Sequence, residues 1–353
     1  MTRGRGGVVA GVSLLLLLAA CSGDGGDSSP EAAATTGADC ESVDEVKIGF
    51  PGLPPDFVQM GLPMADYRGI LQEYCIVPEF IEVESGVAAF RAMAAGEFEF
   101  SYSGSVSPVL AKAEGADASV FMSPANQLDF QVVGLDGYES CEALEGASIA
   151  TDGPGGLIHA VMEAYLESCG LDIDSDVTVQ IGDPETFGQQ LASESVVASA
   201  VHIDEKFFIE DEIGVTLNVL GDAWEFAPLF HYASLSTATP RLEEDRDVYV
   251  RMSAAILETN RWLKDPANRE EAIEAMAEVS EQPVAVIEKA IDAYGFRFPT
   301  TCAEALDLEA FQYLIDQQAE LGNLEEPYPA EDLVDTSICD EAEQMVDEKA
   351  DES

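Results

Sequence analysis

Carboxylate side chains recur in the segments that follow short apolar runs, and these segments contain no lysine or arginine. The carboxylates are those of Asp56, Asp129, Asp152, Asp204, Asp222 and Glu225. An inorganic anion or a sulfonate bound among them would have to be neutralised by backbone dipoles alone, against the surrounding negative charge. The segments therefore favour a neutral or cationic nitrogen heterocycle as ligand. The alternative is that each carboxylate only reflects the acidic bias of the whole chain.

Two short turns offer backbone groups to a polar ligand atom. Ser103, Gly104 and Ser105 open one predicted helix with hydroxyls and free N–H groups. Gly153, Gly155 and Gly156 open a second helix, where the missing side chains permit close approach to the backbone. Each turn is equally compatible with a tight strand-to-helix connection that binds nothing. Their matching placement in two halves of the chain favours ligand binding.

Aromatic residues accompany these segments and offer faces on which a planar ligand can stack. Trp224 is the strongest candidate, because the surrounding Asp222-Ala223-Trp224-Glu225 is polar and typical of a loop, and Phe57 adjoins Asp56. The other members of the set are Tyr102, Phe130, Phe226, Phe230 and Tyr232. At each position the alternative is burial in an apolar core.

The histidines and short motifs give no indication of catalysis. His159, His202 and His231 lie too far apart in sequence for a metal-ligand pair, so we expect no metal site and no cofactor, and His202 is expected to hydrogen-bond the ligand. The chain has no GxSxG, no Ser-x-x-Lys and no Walker-type phosphate loop. The sequence therefore predicts a binding protein and not an enzyme.

An alternation of short strands and helices must position these residues. Runs such as Val46 to Phe50 and Phe98 to Tyr102 have the length and apolar content of strands, and helical patterns separate them. The alternation of predicted strands and helices continues between residues 131 and 220. From Leu242 onward the apolar residues follow helical spacing. This order predicts an α/β protein with parallel strands. Ligands of open α/β sheets lie beyond the carboxyl ends of the strands, where the candidate residues are found.

Several segments resemble one family of solute-binding proteins. They are GVAAFRAMAAGEFEF at 86–100 with Ser103-Gly104-Ser105, Leu144-Glu145-Gly146, TDGPGG at 151–156 and LIDQQAELGNL at 314–324. They are similar to the ABC-importer binders of nitrate, sulfonates and taurine and of thiamine-pyrimidine precursors (NMT1/SsuA-like), over residues 44–338. Where relatives often have Asp-Ala followed by Trp and Pro, this chain has ASAVHID at 198–204, which leaves the ligand open.

The resemblance implies a two-lobed periplasmic binding protein type II fold with a helical C-terminal region. Lobe one would comprise 44–133 and 233–338, lobe two 134–232, and an acidic, frayed tail 339–353. The C-terminal helices would pack mostly on lobe one. The lobes would close around the ligand by hinge bending, a motion for which periplasmic binding proteins are a standard example. The implied partners are a small-molecule solute and an ABC permease, with the protein a monomer. An anion binder, an enzyme on the same scaffold and a sensor component remain the alternatives.

The first residues have the layout of a secretory signal. Arg3 and Arg5 precede the apolar run Val8 to Leu18, which is too short to span a bilayer. Leu18-Ala19-Ala20-Cys21 resembles the lipobox of bacterial lipoproteins, in which Cys21 would become the lipid anchor. We expect a signal peptide over 1–20 and a flexible tether over 21–43, and an extracytoplasmic protein held to the cell membrane. An ordinary signal peptide with an incidental cysteine is the alternative.

The other six cysteines fit disulfides in an oxidising compartment. Six cysteines allow fifteen pairings, and sequence alone does not decide among them. Positions favour Cys40 with Cys75, because each precedes a predicted strand, and two local pairs that each bracket a short unit. These local pairs are Cys141 with Cys169 and Cys302 with Cys339.

The charge balance excludes one class of partner and predicts a salt requirement. The chain has 68 acidic and 16 basic residues and a formal net charge of −52. Such a chain would be repelled by the phosphates of nucleic acid. Its self-repulsion is tolerable when salt shortens the screening length to about 3 Å at roughly 1 M. We therefore predict adaptation to a salty exterior.

Overall fold

The computed structural model describes residues 42–154 and 156–352, together with Cys40. The predicted signal peptide 1–20, the anchor Cys21, most of the predicted tether and Gly155 lie outside the described residues. Mixed α/β architecture with two five-stranded sheets confirms the predicted fold class. None of the helices among the described residues has both the length and the apolar character needed to cross a bilayer.

The first sheet has the strand order β2-β1-β3-β10-β4. Its strands are β1 (Asp44–Pro51), β2 (Ile76–Val83), β3 (Phe100–Gly104), β4 (Ala118–Met122) and β10 (Ala233–Ala238). β1 pairs in parallel with β2 and β3, as the alternating pattern predicts. β10 enters between β3 and β4 in the antiparallel direction, because it arrives from the second sheet.

The second sheet repeats this plan with the order β7-β6-β8-β5-β9. Its strands are β5 (Phe130–Gly134), β6 (Ser148–Thr151), β7 (Thr178–Ile181), β8 (Ala198–His202) and β9 (Asn218–Asp222). β6 is parallel to β7 and β8, whereas β5 is antiparallel to both β8 and β9. We call each sheet with its covering helices a lobe.

The helices cover both sheets and form the C-terminal region. Those before β10 are α1 (Gly61–Tyr67), α2 (Ile70–Glu73), α3 (Gly86–Ala94), α4 (Val106–Ala113), α5 (Leu157–Ser168), α6 (Phe187–Ala192), α7 (Ile203–Phe208) and α8 (Ala223–Phe226). Those after it are α9 (Thr239–Glu244), α10 (Arg246–Lys264), α11 (Arg269–Val279), α12 (Val284–Tyr294), α13 (Cys302–Ala305), α14 (Leu308–Glu320) and α15 (Thr336–Glu352). Side chains cap the N-termini of two of these helices. The Ser85 hydroxyl accepts a hydrogen bond from the Ala88 N–H at the start of α3, and the Asp307 carboxylate accepts one from the Glu309 N–H at the start of α14.

Two chain segments connect the lobes, and they are hydrogen-bonded to each other. One runs from β4 to β5 and the other from α8 to β10, and the Tyr232 N–H donates to the Asn126 carbonyl at 3.2 Å. The first crossing precedes Phe130, whereas the sequence placed residues up to 133 in lobe one. β5 belongs wholly to the second sheet because all five of its residues pair with β8.

Most of the C-terminal helices pack on elements of the first lobe, as the resemblance implies, and α12 contacts the second lobe. α12 packs on α7 of the second lobe, and the Lys289 ammonium contacts both Asp211 oxygens at 2.6 and 2.7 Å. A separate apolar cluster lies here, which we call the interlobe apolar cluster. It includes Phe57, Met60, Met64, Ile203, Trp224, Leu263, Ile287, Tyr294 and Phe298.

The predicted acidic tail is a packed helix. α15 lies against α10, and its Ile338, Ala342 and Val346 are buried. The segment before it adds a parallel bridge to β4, at Val120 and Val334. Arg261 pairs with Asp347 on the polar side. The expectation of a frayed tail over 339–353 is therefore wrong for 339–352, because apolar residues at helical spacing bind the segment to the core despite its charge.

All three predicted disulfides are confirmed. Cys40 pairs with Cys75, Cys141 with Cys169 and Cys302 with Cys339, with Cα atoms 5.8, 6.1 and 5.5 Å apart. The first pair forms because β1 and β2 are adjacent parallel strands whose starts lie side by side. The last pair fastens α15 to the α13 region.

Candidate functional site

Four carboxylates and one imidazole come together where the two sheets face each other. Asp56 follows β1 of the first sheet, Asp129 precedes β5, His202 ends β8, and Asp204 and Glu205 lie in the first turn of α7. The charges of these groups act on one another. We call them the carboxylate cluster. Its three aspartates and His202 are residues that the sequence analysis singled out.

The center of the cluster is a close pair between His202 and Asp129. Nδ1 of His202 lies 2.7 Å from Oδ1 of Asp129, whose side chain is fully buried. The Phe130 ring lies against the imidazole with ring centroids 4.0 Å apart, and the Tyr232 ring meets it edge-on at 6.5 Å. Because a carboxylate only accepts, Nδ1 carries a proton, and Nε2 is left for another partner.

Burial and mutual repulsion shift the ionisation of this cluster. Burial opposes protonation of His202, yet the charges of Asp129, Asp56 and Asp204 raise its pKa to about 10. Burial, together with the charges of Asp56 and Asp129, raises the pKa of Asp204 to about 7, and burial raises the pKa of Glu205 to about 7. The Asp56 side chain is open to solvent on one side, but the protein around it still raises its pKa by desolvation. A positively charged partner nearby would favour the ionised form of these carboxylates.

Three polar atoms at the cluster are buried without a hydrogen-bond partner among the described residues. They are Oδ2 of Asp129, Oδ1 of Asp204 and the hydroxyl of Tyr102. Tyr102 faces the cluster, since the charges of Asp129 and Asp56 raise the pKa of its hydroxyl. Buried polar atoms are rarely left unpaired in proteins. Two of these three atoms only accept hydrogen bonds when ionised.

The glycine turn of the second lobe is closed by its own carboxylate. Oδ1 of Asp152 accepts from the His159 N–H at 2.8 Å, and Oδ2 accepts from the Ile158 N–H at 3.3 Å. A side chain at Gly156 would overlap this carboxylate. Gly153 has φ +95°, a conformation that favours glycine. Asp152 therefore takes the place at the α5 N-terminus that a ligand anion would occupy.

The turn at Ser103–Ser105 is also engaged within the protein. The Ser105 N–H donates to the Tyr232 carbonyl at 3.0 Å, and the Ser105 hydroxyl lies 2.8 Å from Nδ1 of His231. Ser103 is paired with Ser234 in the sheet through its backbone, but its buried hydroxyl has no hydrogen-bond partner among the described residues. Gly104 alone of the three is exposed. The predicted free hydroxyl and N–H of Ser105 are thus used by the crossing segment.

Phe57 and Trp224 lie in the interlobe apolar cluster. Phe57 is fully buried, with its ring 6.0 Å from that of Tyr294. Trp224 is 8% exposed, and the Tyr294 ring packs against it at 4.9 Å in an edge contact. The structure therefore places both rings in a contact between the lobes, next to the carboxylate cluster and not within it.

Two residues at the cluster were not among those that the sequence analysis singled out. Glu205 could have been found, since it adjoins Asp204 after a strand end, but Tyr294 comes from α12 far along the chain. Its hydroxyl donates to the Gln127 carbonyl beside Asp129. Within the described part of the chain, no three histidine, cysteine or acidic side chains are arranged to hold a metal ion.

Comparison with known proteins identifies the family. A model described as the NMT1-like family matches residues 41–277, well over half of the chain. The chain belongs to the NMT1-like family. No match was found among proteins of curated function.

The NMT1-like chain is similar to solved binding proteins over most of its length. A putative periplasmic sulfonate-binding protein SsuA from Methylobacillus flagellatus has a TM-score of 0.70 at 15% identity, covering 87% of this chain and 96% of that one. The nitrate-binding protein NrtA from Synechocystis gives 0.69 at 13%, covering 88% and 90%. The alkanesulfonate-binding SsuA from Xanthomonas axonopodis, bound to MOPS, gives 0.65 at 16%, covering 84% and 99%. The NMT1-like chain therefore has the periplasmic binding protein fold.

Proposed function

We propose that this NMT1-like protein is the extracytoplasmic solute-binding component of an ABC importer. It captures a small organic solute between its lobes and delivers it to a membrane permease, without catalysing a reaction. The fold and the family support this function, since one similar structure is described as the periplasmic binding protein of a putative sulfonate ABC transporter and another as a periplasmic nitrate-binding protein. The paired crossing segments offer a hinge, and the carboxylate cluster lies where the lobes meet.

We further propose that the solute is a neutral or cationic nitrogen heterocycle, with a thiamine-pyrimidine precursor as the first compound to test. The observation that carries this is the pair of buried carboxylate oxygens, on Asp129 and Asp204, that accept no hydrogen bond from the described residues. An amino group on a planar ring supplies the missing donors. Phe130 and Tyr232 provide apolar walls beside them.

A nitrate, taurine or sulfonate ligand is the second candidate, since the similar structures bind such anions. The local charge opposes it. The carboxylate of Asp152 caps α5, and no lysine or arginine is among the charges that act on Asp204. Among the charges that act on Asp204, the imidazolium of His202 is the one positive group that an anion could meet, and the Arg297 guanidinium lies farther out, over Trp224 and Tyr294.

Calorimetric titration distinguishes the two candidates. We expect binding of the pyrimidine precursor and none of nitrate, taurine or alkanesulfonates. Trp224→Ala should weaken the binding, because it removes packing between α8 and α12 beside the carboxylate cluster. Tight binding of a sulfonate with no heterocycle affinity would refute the heterocycle and leave the transport function intact. Recovery of the ligand unchanged after incubation tests the absence of turnover.

We propose that Cys21 carries the lipid that anchors the protein. A chain with a net charge of −52 is repelled by anionic membrane surfaces, so that membrane attachment has to come from lipid. Cys21→Ser should release the protein from membranes into the soluble fraction. The anchor is disproved if the Cys21→Ser protein still sediments with membranes after a high-salt wash.

A further inference from the structure

We infer that the solute carries a positively charged nitrogen group, which the carboxylates of Asp129 and Asp204 hold at the junction of the lobes. This inference rests on the proposed solute-binding function and narrows it to organic cations: ammonium, amidinium or protonated amino-heterocycles. Neutral heterocycles and anions are excluded as the preferred ligands.

The charge of the carboxylate cluster is the first support. Asp56, Asp129, Asp204 and Glu205 act on one another, and His202 is the one positive group among the charges acting on Asp204 and Glu205. The nearest lysine in sequence, Lys206, is paired with Glu210 at 2.9 Å and packs over Phe207. Buried carboxylates without compensation cost free energy, so the arrangement is stabilised by one more positive charge.

The direction of hydrogen bonding is the second support. His202 occupies Oδ1 of Asp129 and leaves Oδ2 buried and unpaired. Oδ1 of Asp204 is likewise unpaired, and so is the Tyr102 hydroxyl, on a strand of the other lobe. Two carboxylate oxygens from the second-lobe side of the junction and one hydroxyl from the first lobe are thus available to hydrogen-bond a ligand. A charged donor makes the stronger hydrogen bond to a carboxylate.

Asp129 also holds His202 in place, and so it acts as a positioning residue. The 2.7 Å contact at Nδ1 and the Phe130 ring at 4.0 Å fix the plane of the imidazole. Its Nε2 is then oriented by the protein and not by the ligand. A ligand with an acceptor atom next to its cationic donor group, as in an amino-heterocycle, can use both groups.

Cation binding is expected to compete with protonation of the cluster. The charged groups that face Asp204 come from several elements: Asp56 from the first lobe, Asp129 from the crossing segment, His202 from β8 and Glu205 from its own helix. Three neighbouring tyrosines, Tyr102, Tyr232 and Tyr294, stay neutral because their pKa values are raised. At low pH a proton neutralises Asp204, whose pKa burial raises to about 7. A cation binds the ionised form, so affinity should fall as the pH drops below about 7 and binding should release protons.

The test compares three probes that share one ring and differ in charge: benzamidine, benzamide and benzenesulfonate. Titration calorimetry at pH 8 should show benzamidinium binding at least tenfold more tightly than benzamide, with no benzenesulfonate binding. Calorimetry at pH 7 in two buffers of different ionisation enthalpy should show proton release. Mass spectrometry of the solute extracted from protein purified from its native cells should show a basic nitrogen.

Two variants and a control assign the effect to the cluster. Asp204→Asn should lose at least tenfold in benzamidine affinity at pH 8 and should release fewer protons than the wild type at pH 7. Glu205→Gln, which removes a charge from the same cluster, should lose less and covers the case in which Asp204→Asn does not fold. The control is Glu97→Gln, an exposed carboxylate before β3 at the far end of the first sheet, which should bind as the wild type does.

The possible failures are distinguishable. An extracted solute without a basic nitrogen, or benzamide binding as tightly as benzamidine, overturns the cation and leaves the solute-binding function standing. Binding of Ca²⁺ or Zn²⁺ alone, in place of the organic cation, also overturns it. A protein that carries no solute and binds none of the three probes contradicts both this inference and the proposed function.

Discussion

The pKa values of two histidines near the junction of the lobes are shifted in opposite directions. His202 lies beside Asp129, so its charged form is favoured although it is largely buried, and its pKa is raised to about 10. His231 lies on the second crossing segment, between the Ser105 hydroxyl and the Ala305 carbonyl, at 2.8 and 3.0 Å. Burial lowers the pKa of His231 to about 4. The carbonyl only accepts, so Nε2 donates to it and Nδ1 accepts from Ser105.

The His231 environment predicts a specific loss of stability in acid. The unfolded imidazole has a pKa near 6.5 and the folded one about 4, so the stabilisation is complete above pH 6.5 and is lost as the pH falls toward 4. This corresponds to about 2 kcal/mol between pH 7 and pH 5. His231→Gln keeps both hydrogen-bonding roles without titrating.

Urea unfolding of both proteins at pH 7 and pH 5 tests this residue. The wild type should lose about 2 kcal/mol more than His231→Gln on acidification. Asp204 has a raised pKa in both proteins, so its effect on the change in stability between pH 7 and pH 5 is the same in both and cancels in the difference. Equal losses would mean that His231 does not titrate as its surroundings imply.

Among the secondary elements, α15 shows how an acidic segment can be part of the core. Its outward face carries carboxylates that pair with Arg246 and Arg261, and its own Lys349 pairs with Glu258 of α10, while its apolar stripe packs on α10. α5 shows the converse, because a carboxylate that looks available for a ligand caps its own helix. In both elements the packing partner, and not the charge, decides the role of the acidic residues.

The packing of α15 predicts a measurable difference between two valines. Val346 on α15 is 4% exposed, whereas Val284 on α12 is 50% exposed. Val346→Ala should therefore destabilise the protein by about 1–2 kcal/mol more than Val284→Ala, since it removes two buried methyl groups. The gain in helix propensity is common to both. Chemical denaturation of the two variants measures the difference, and equal stabilities would show a tail that does not contribute to the core.

For the whole molecule, the dominant quantity is charge. Most basic side chains in the described part are already engaged in ion pairs, as at Arg251 with Asp44 and Arg269 with Asp292. The excess carboxylates on the surface have no cation of the protein to meet. Their repulsion is a long-range effect that no single ion pair offsets.

We therefore predict that the folded protein is stabilised by salt. Raising NaCl from 0.01 M to 1 M shortens the screening length from about 30 Å to about 3 Å, and the melting temperature should rise by several degrees. Most of the rise should occur below about 0.2 M, where screening changes fastest, and KCl should act as NaCl does. A melting temperature that stays flat across this range would refute salt adaptation.

The sequence by itself determined the local elements, the disulfides and much of the cluster. Alternating strands and helices lie close to their predicted positions, as at β1 and β3, because hydrophobic periodicity and turn residues are local properties. The carboxyl ends of strands meet at one edge, so Asp56, Asp129, His202 and Asp204 converge as that rule requires. The same reasoning placed Cys40 beside Cys75.

Only the tertiary structure decided what each group contacts. β4 was missed, although Ala118–Met122 is apolar and fully buried, and the antiparallel entry of β10 has no local signal. Trp224 reads as a loop residue until Tyr294 of α12 packs on it, and Asp152 reads as a ligand group until it caps α5. These outcomes depend on partners far apart in the chain, and which of them pack together is a property of the whole fold and not of any local pattern.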